Sequence, residues 1–218
     1  MNMRPFFVSD YLLTFTGQIK LIMKLNLKLC AALIAGLLIS INSFSQTRIA
    51  IGGIGSKNLA SVGRYTEESE EEYGAYFGLL SDVRLSRKSN VYLETGVLYG
   101  YVGDKYRDAS ENMHSINVPL RLKYKAPVTS EGDIIFFGGA RFQYGLAANI
   151  KQGDVSMNLY GDDPLLNRFD VKAGIGAGIA VSLVEIRLGY EWGLMDMNPS
   201  DIKELHINQF FVGVAFNL

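Results

Sequence analysis

The sequence predicts an all-β fold: an eight-stranded antiparallel up-and-down transmembrane β-barrel. Three observations predict it. Residues 184–194 alternate, with Val184, Ile186, Leu188, Tyr190, Trp192 and Leu194 apolar or aromatic, and Glu185, Arg187, Gly189, Glu191 and Gly193 charged or glycine. Side chains of a strand point to opposite faces in turn, so this segment has one greasy face and one charged face. The same two-faced pattern returns along most of residues 47–218. The connections between patterned segments alternate in length, as they do on barrels that cross a membrane.

Eight candidate strands follow from the pattern. The first, about 47–55, puts Arg48 on the polar face. The second, about 73–85, sets Tyr73 on the apolar face and Asp82 and Arg84 on the polar one. In the third, about 90–102, Val91, Leu93, Val97, Tyr99 and Tyr101 oppose Glu94, Gly96 and Gly100, with Tyr92 and Leu98 as exceptions. The fourth, about 113–125, sets Ile116, Val118, Leu120, Leu122 and Tyr124 against Asn117, Pro119, Arg121 and Lys123. Proline cannot donate to a ladder, so Pro119 predicts a local irregularity there. The fifth, about 133–148, carries Arg141 on its polar face. In the sixth, about 168–182, Phe169, Val171, Ile175, Ile179 and Val181 alternate with Asp170, Lys172, Gly174, Gly176, Gly178 and Ser182. The seventh is about 184–195. The eighth, about 207–218, aligns Phe210, Val212, Val214, Phe216 and Leu218 on one face, with Phe211 breaking the rule. Several of these reach the roughly 9–11 residues that a tilted strand needs to cross a bilayer.

Between them the sequence suggests a long acidic loop after the first strand, a short link at 86–89 and a longer loop at 103–112. A moderate link at 127–132, a long loop at 149–167, almost nothing before Val184, and a longer loop at 196–206 complete the series. An even strand number lets both ends of the barrel sit on one rim.

The composition agrees with this class. Of 218 residues, 48% are hydrophobic and 20% charged, which excludes a disordered chain. Glycine is abundant, at 23 residues against 5 prolines, which suits a tightly curved sheet better than a helical bundle. Residues 23–46 read as a secretory signal: a basic start at Met23–Lys28, an apolar stretch from Leu29 to Ile41, and a small polar end suited to cleavage near Ser45 or Gln46. The apolar stretch is too short for an ordinary spanning helix. Residues 1–22 are then expected to be a mis-called extension ahead of the true start at Met23. The processed domain is 47–218. Removing 1–46 takes away Arg4, Lys20, Lys24, Lys28 and Asp10, leaving 17 bases, 21 acids and a net charge of −4. No basic patch invites nucleic acid. Cys30 is the only cysteine, and its setting does not match a lipidated one, so the processed chain needs no disulfide.

Alternation alone does not say which face is inside. A soluble barrel that binds a small apolar ligand also alternates, with its greasy face inward. The polar face here carries Arg48, Asp82, Arg84, Glu94, Arg121, Lys123, Arg141, Asp170, Lys172, Glu185, Arg187 and Glu191, interspersed with glycine. Mixed charges among glycines suit a narrow lumen in which long side chains cross and pair. Tyr73, Tyr99, Tyr101, Tyr124, Tyr190, Trp192 and Phe216 lie near strand ends on the other face, where interfacial girdles sit. The expected molecule is a monomer in outer-membrane lipid with a packed polar interior and no open pore.

Ile116-Asn117-Val118-Pro119-Leu120-Arg121-Leu122-Lys123-Tyr124-Lys125 resembles a strand signature of the PorT-like outer-membrane β-barrel family of Gram-negative bacteria. Gly174–Gly178 and Leu188–Leu194 resemble that family's later strands. The resemblance covers most of residues 47–218 and implies an eight-stranded barrel of the cell outer membrane. Some members are linked to protein secretion, which implies secretion or envelope proteins as partners. The family carries no catalytic residues.

No catalytic, cofactor-binding or metal site is assigned. The acidic run Glu67-Glu68-Ser69-Glu70-Glu71-Glu72 offers hard ligands for Ca²⁺, but a solvated charged loop explains it better, and the same holds for Asp162-Asp163. His114 and His206 fall near one rim, and Ser200, Asp201 and His206 can be cast as an acyl-transfer triad. That chemistry needs a greasy pocket, which a charged lumen does not offer. Gly52-Gly53-Ile54-Gly55-Ser56-Lys57 lacks phosphate-loop spacing, and the glycines of 174–178 keep period two.

Overall fold

A computed structural model describes residues 45–218 apart from 63–64, 87, 107–108, 153–154, 162–163 and 200–203. The predicted extension and nearly all of the predicted signal lie outside the described residues. Nine strands are present among the described residues: β1 (Ser45–Val62), β2 (Tyr65–Arg84), β3 (Val91–Tyr106), β4 (Ala109–Pro127), β5 (Gly132–Gln152), β6 (Val155–Asn158), β7 (Phe169–Val181), β8 (Val184–Gly193) and β9 (Glu204–Asn217). Eight of them form a closed antiparallel ring in the order β1-β2-β3-β4-β5-β7-β8-β9, with β9 pairing back on β1. The short β6 pairs with the far end of β5 and lies outside the ring. Closure removes the free edges that an open sheet would expose.

The alternation resolves into two surfaces. Along β8, Glu185, Arg187, Gly189 and Glu191 are buried, while Val184, Ile186, Leu188, Tyr190 and Trp192 are exposed. Tyr73, Tyr101, Tyr124 and Phe216 are exposed on the same outer wall. The greasy face therefore points outward and the charged face points to the barrel axis. This arrangement excludes the soluble barrel with an apolar interior.

One rim carries the short connections. Residues 85–90 and 128–131 make two of them, and Ser182-Leu183 make a two-residue turn between Val181 and Val184. Ser182 adopts φ 52°, the positive value that tight hairpins demand at a central position. The start of β1 and the end of β9 lie at this rim too, since Ser45 pairs with Val83 and Arg48 with Asn217.

The opposite rim departs from the sequence-based expectation. The long loops after the first and third strands are instead long hairpins. β1 and β2 stay paired out to Val62↔Tyr65, and β3 and β4 out to Tyr106↔Ala109. The acidic stretch is therefore on β2, where Glu67, Glu68, Glu71 and Glu72 pair through the backbone with Ala60, Leu59, Lys57 and Ser56. Low apolar content hid these strand ends, but backbone pairing does not need apolar side chains once the register is set below.

Two irregularities follow local chemistry. The β3–β4 ladder runs to Thr95↔Leu120 and resumes at Leu98↔Asn117, skipping the pairs that involve Pro119 and Val118. The missing amide of Pro119 interrupts pairing on the β3 side without shifting register, as its ring requires. On β5 a bulge at Leu146 lets His114 pair with Ala147 and Ser115 with Gly145. The bulge swaps the phase, so Gln143 and Gly145 face inward below it and Ala148 above it.

Candidate functional site

The lumen is packed in tiers. Nearest the short-turn rim lies an ionic cluster built on Arg48 of β1. Its guanidinium meets Asp82 at 2.5 Å, Glu94 at 2.9 Å and also Glu185. Lys123 adds contacts to Glu185 at 2.5 Å and Asp82 at 3.2 Å, and Lys125 approaches Asp82 at 3.4 Å from the rim. Arg48, Glu94, Lys123, Asp170 and Lys172 have no solvent-accessible surface. Charges taken out of water need partners and hydrogen bonds to persist, and strands on opposite walls supply them here.

The middle tier mixes charge with aromatic rings. Arg187 contacts both oxygens of Glu94, at 2.7 and 3.0 Å. Arg121 reaches Glu94 at 3.2 Å and also pairs with Glu191, which Arg141 meets at 2.5 Å. Phe211 packs edge-on against Tyr76 at 6.2 Å and stacks with Phe137 at 6.1 Å. Arg187 sits 4.5 Å over Phe137, and Arg121 sits 5.1 Å over Phe211. A guanidinium over a ring face is attracted by its quadrupole, more strongly where water is excluded. Glycines make room for the rings. A Cβ on Gly189 would sit 2.6 Å from Phe211, and one on Gly176 would overlap Phe137.

Above the rings the lumen turns neutral and then apolar. Gln209 donates to Ser56 at 3.0 Å, Asn117 donates to Ser115 at 3.0 Å, and Lys172 pairs with Asp170 at 2.5 Å. A cap closes this end, formed by Leu159, Tyr160, Leu166 and Met197 packed on Met113, Ala148 and Ile207. Arg168 fastens it by donating to the Tyr160 carbonyl at 3.0 Å and lying 4.7 Å over the Tyr160 ring. Burial pushes the Tyr160 phenol above its ordinary range. Gly145 faces the Tyr160 hydroxyl so closely that any side chain there would clash.

The interior cavities are small. One is lined by Tyr76, Leu80, Leu98, Arg121, Arg141, Arg187 and Phe211, and a second by Ser56, Glu72, Ser115, Asn117, Gln143, Gln209 and apolar neighbours; each offers about 10 Å³. That is room for roughly one water. Neither is a greasy chamber for an acyl chain or an apolar ligand.

The rim residues considered from the sequence do not assemble. His114 is on β4 and His206 on β9, four places apart in a ring of eight. His114 joins the outer aromatic wall, with Nδ1 2.5 Å from the Tyr99 hydroxyl and its ring 5.1 Å from Tyr101. His206 lies 3.8 Å from Glu204. Ser200, Asp201, Asp162 and Asp163 lie outside the described residues. Gly52–Lys57 and Gly174–Gly178 are strand, with no phosphate loop. Among the described residues no group of three or more His, Cys, Asp and Glu is placed to hold a metal ion.

Sequence reasoning found the charged lining and missed the aromatic tier and the cap. Leu98 and Phe211 stood out as exceptions, yet both occupy inward-phase positions and are buried in the lumen. Strict attention to phase over hydrophobicity would have placed them. The expected polar core is thus a polar core around a ring-stacked centre.

A closed ring of eight strands, greasy outside and ionic within, defines a β-barrel that lives in a membrane. The profile of the outer membrane protein beta-barrel domain matches residues 39–198, and the chain belongs to that family. The protein is located in the cell outer membrane. Among solved structures it is similar to the Neisserial surface protein NspA, at 14% identity over 78% of this chain and 97% of that one, with a TM-score of 0.45. It is also similar to the attachment invasion locus protein Ail of Yersinia pestis, at 12% identity over 80% and 99%, with a TM-score of 0.39. The outer membrane enzyme PagL gives 14% identity over 76% and 99%, with a TM-score of 0.46. No curated protein sequence matches the chain.

Proposed function

We propose that this protein is a non-conducting, non-enzymatic scaffold of the outer membrane whose extended hairpins are its working surface. The observation that carries the reading is the contrast between interior and rim. The lumen is filled by interlocked ions and rings, whereas three hairpins, β1–β2, β3–β4 and β5–β6, continue well past the ring's mouth. A filled bore leaves no path for solutes, and exposed hairpins on a rigid barrel are where partners bind. The partners fitting this reading are envelope proteins, including those of protein secretion, in line with the PorT-like resemblance of residues 116–125. The barrel acts as a monomer, since closure leaves no ring edge to share.

Photo-crosslinking residues at Ser156 and Met157, both exposed on β6, would be introduced in intact cells and their adducts identified by mass spectrometry. A discrete envelope protein at both positions supports the proposal. Stable large conductance from the pure protein in planar bilayers, or turnover of a lipid substrate, would sink it.

A further inference from the structure

We propose that the outer wall of the barrel holds one phospholipid in a defined site, with an acyl chain in a groove over Gly138 and the headgroup at the short-turn rim. The groove crosses β3, β4, β5 and β7 and offers about 440 Å³. That lies within the roughly 300–1,000 Å³ of small-molecule sites. The strand ladders explain its shape. One row across the wall reads Leu122, Gly138, Ile175, and the next row away from the rim reads Leu120, Ala140, Ala173. Gly138 thus has no side chain between two large exposed ones, and Ala140 and Ala173 keep the floor low beside it. Tyr124 and Phe136, paired across β4 and β5, form the bank nearest the rim. A Cβ on Gly138 would meet nothing nearer than 3.4 Å, so crowding does not demand glycine there. Glycine inside a strand otherwise marks a place where a ligand or another chain comes close.

The occupant follows from where the wall lies. The groove is on the apolar face of an outer-membrane barrel, so hydrocarbon fills it. A second barrel does not fit, because a convex wall cannot enter a narrow recess, whereas a single flexible chain can. Within the membrane no hydrophobic gain favours one stretch of wall over another. Contact does: a chain in the groove is touched beneath and on both sides, and a chain on a flat wall on one side only. The rim supplies the polar half of the site. The groove reaches Val91 and Tyr124, beside the 85–90 turn. Arg84 is engaged there with the Ser89 carbonyl at 3.0 Å and the Tyr92 ring, and Lys88 is exposed as a cation for the lipid phosphate. The 128–131 turn carries exposed Glu131, which suits an ammonium and repels a second anion. The two turns flank adjacent strands, and the Lys125 amide donates to the Asn90 carbonyl at 3.0 Å. A cation and a carboxylate on neighbouring turns match a zwitterionic, amine-bearing headgroup.

Native mass spectrometry of the barrel, extracted from membranes in mild detergent, should show a monomer carrying one phospholipid. After delipidation, phosphatidylethanolamine should rebind one to one, and more tightly than phosphatidylglycerol. Gly138→Leu fills the floor and should weaken rebinding by at least about tenfold. Lys88→Glu should weaken it too. Gly53→Leu adds the same bulk to β1, four places round the ring from β5, where a Cβ meets nothing nearer than 3.8 Å; it should bind as the parent does. If Gly138→Leu does not fold, phosphatidylethanolamine with a photoreactive acyl chain decides on the unmodified protein in vesicles. Its crosslinks should gather on Leu122, Phe136 and Ile175. Crosslinks spread evenly round the wall, equal binding by the Gly138 and Gly53 variants, equal or tighter binding of phosphatidylglycerol, or a dimer without lipid overturns the proposal.

Discussion

Arg187 and Glu94 face each other across the lumen from β8 and β3, joined by two hydrogen bonds of 2.7 and 3.0 Å. Glu94 also serves Arg48, Arg121 and Lys123, so one carboxylate ties together four cations. Removing its charge leaves those buried cations with too few partners. Glu94→Gln is expected to destabilise the barrel by about 3–5 kcal/mol, the range for breaking a buried ion pair on one side. Urea unfolding in detergent, followed by tryptophan fluorescence, measures it. Equal stability of variant and parent would show that the cluster is solvated.

Glycines on the two faces should behave differently. A Cβ on Gly189 meets the Phe211 ring at 2.6 Å, whereas one on Gly138 meets nothing nearer than 3.4 Å. Gly189→Ala is expected to cost about 1–3 kcal/mol through overpacking. Gly138→Ala should stay within about 0.5 kcal/mol, as surface substitutions do. Comparing the two unfolding midpoints separates crowding from any general effect of losing glycine.

Leu188 is exposed at the middle of β8 on the lipid-facing wall. Leu188→Arg should destabilise the protein by about 2–4 kcal/mol in phospholipid vesicles, the range for a cation at the midplane of a barrel wall. The readout is the folding free energy in vesicles; no loss there would place Leu188 away from the hydrocarbon.

Arg168 holds the cap through the Tyr160 carbonyl and ring. Arg168→Ala removes a charged hydrogen bond of about 1.5–3 kcal/mol and a cation–π contact of about 0.5–1 kcal/mol. Each 1.4 kcal/mol is roughly a tenfold change in local opening. Amide exchange over residues 159–167 should therefore accelerate by at least about tenfold, while β7 and β8 keep their protection.

Much of this molecule is legible in its residues. The side-chain phase of 184–194 gave β8 its two faces, the mixed charges and glycines of one face marked it as the inner one, and Arg48, Glu94, Lys123 and Glu185 lie together in the lumen accordingly. Pro119 announced the gap in the β3–β4 ladder. Three features were not legible, each for a physical reason. The sequence of the outer ends of β1 and β2 is mostly polar and acidic with no period of two, so no alternation marks them. The bulge at Leu146 depends on how β5 meets β4, which a single strand cannot display. The cap brings Leu159 and Leu166 onto Met197, contacts of long range between segments with no period of their own.

The seam of the barrel has a consequence for its biogenesis. β9 hydrogen-bonds to β1, and Arg48 clasps Glu185, which is 137 positions further along the polypeptide. An emerging chain exposes a raw strand edge and an orphaned guanidinium until its final hairpin has been made. The ring can therefore close only after the whole chain has been made, because the pairing that seals it joins its last strand to its first.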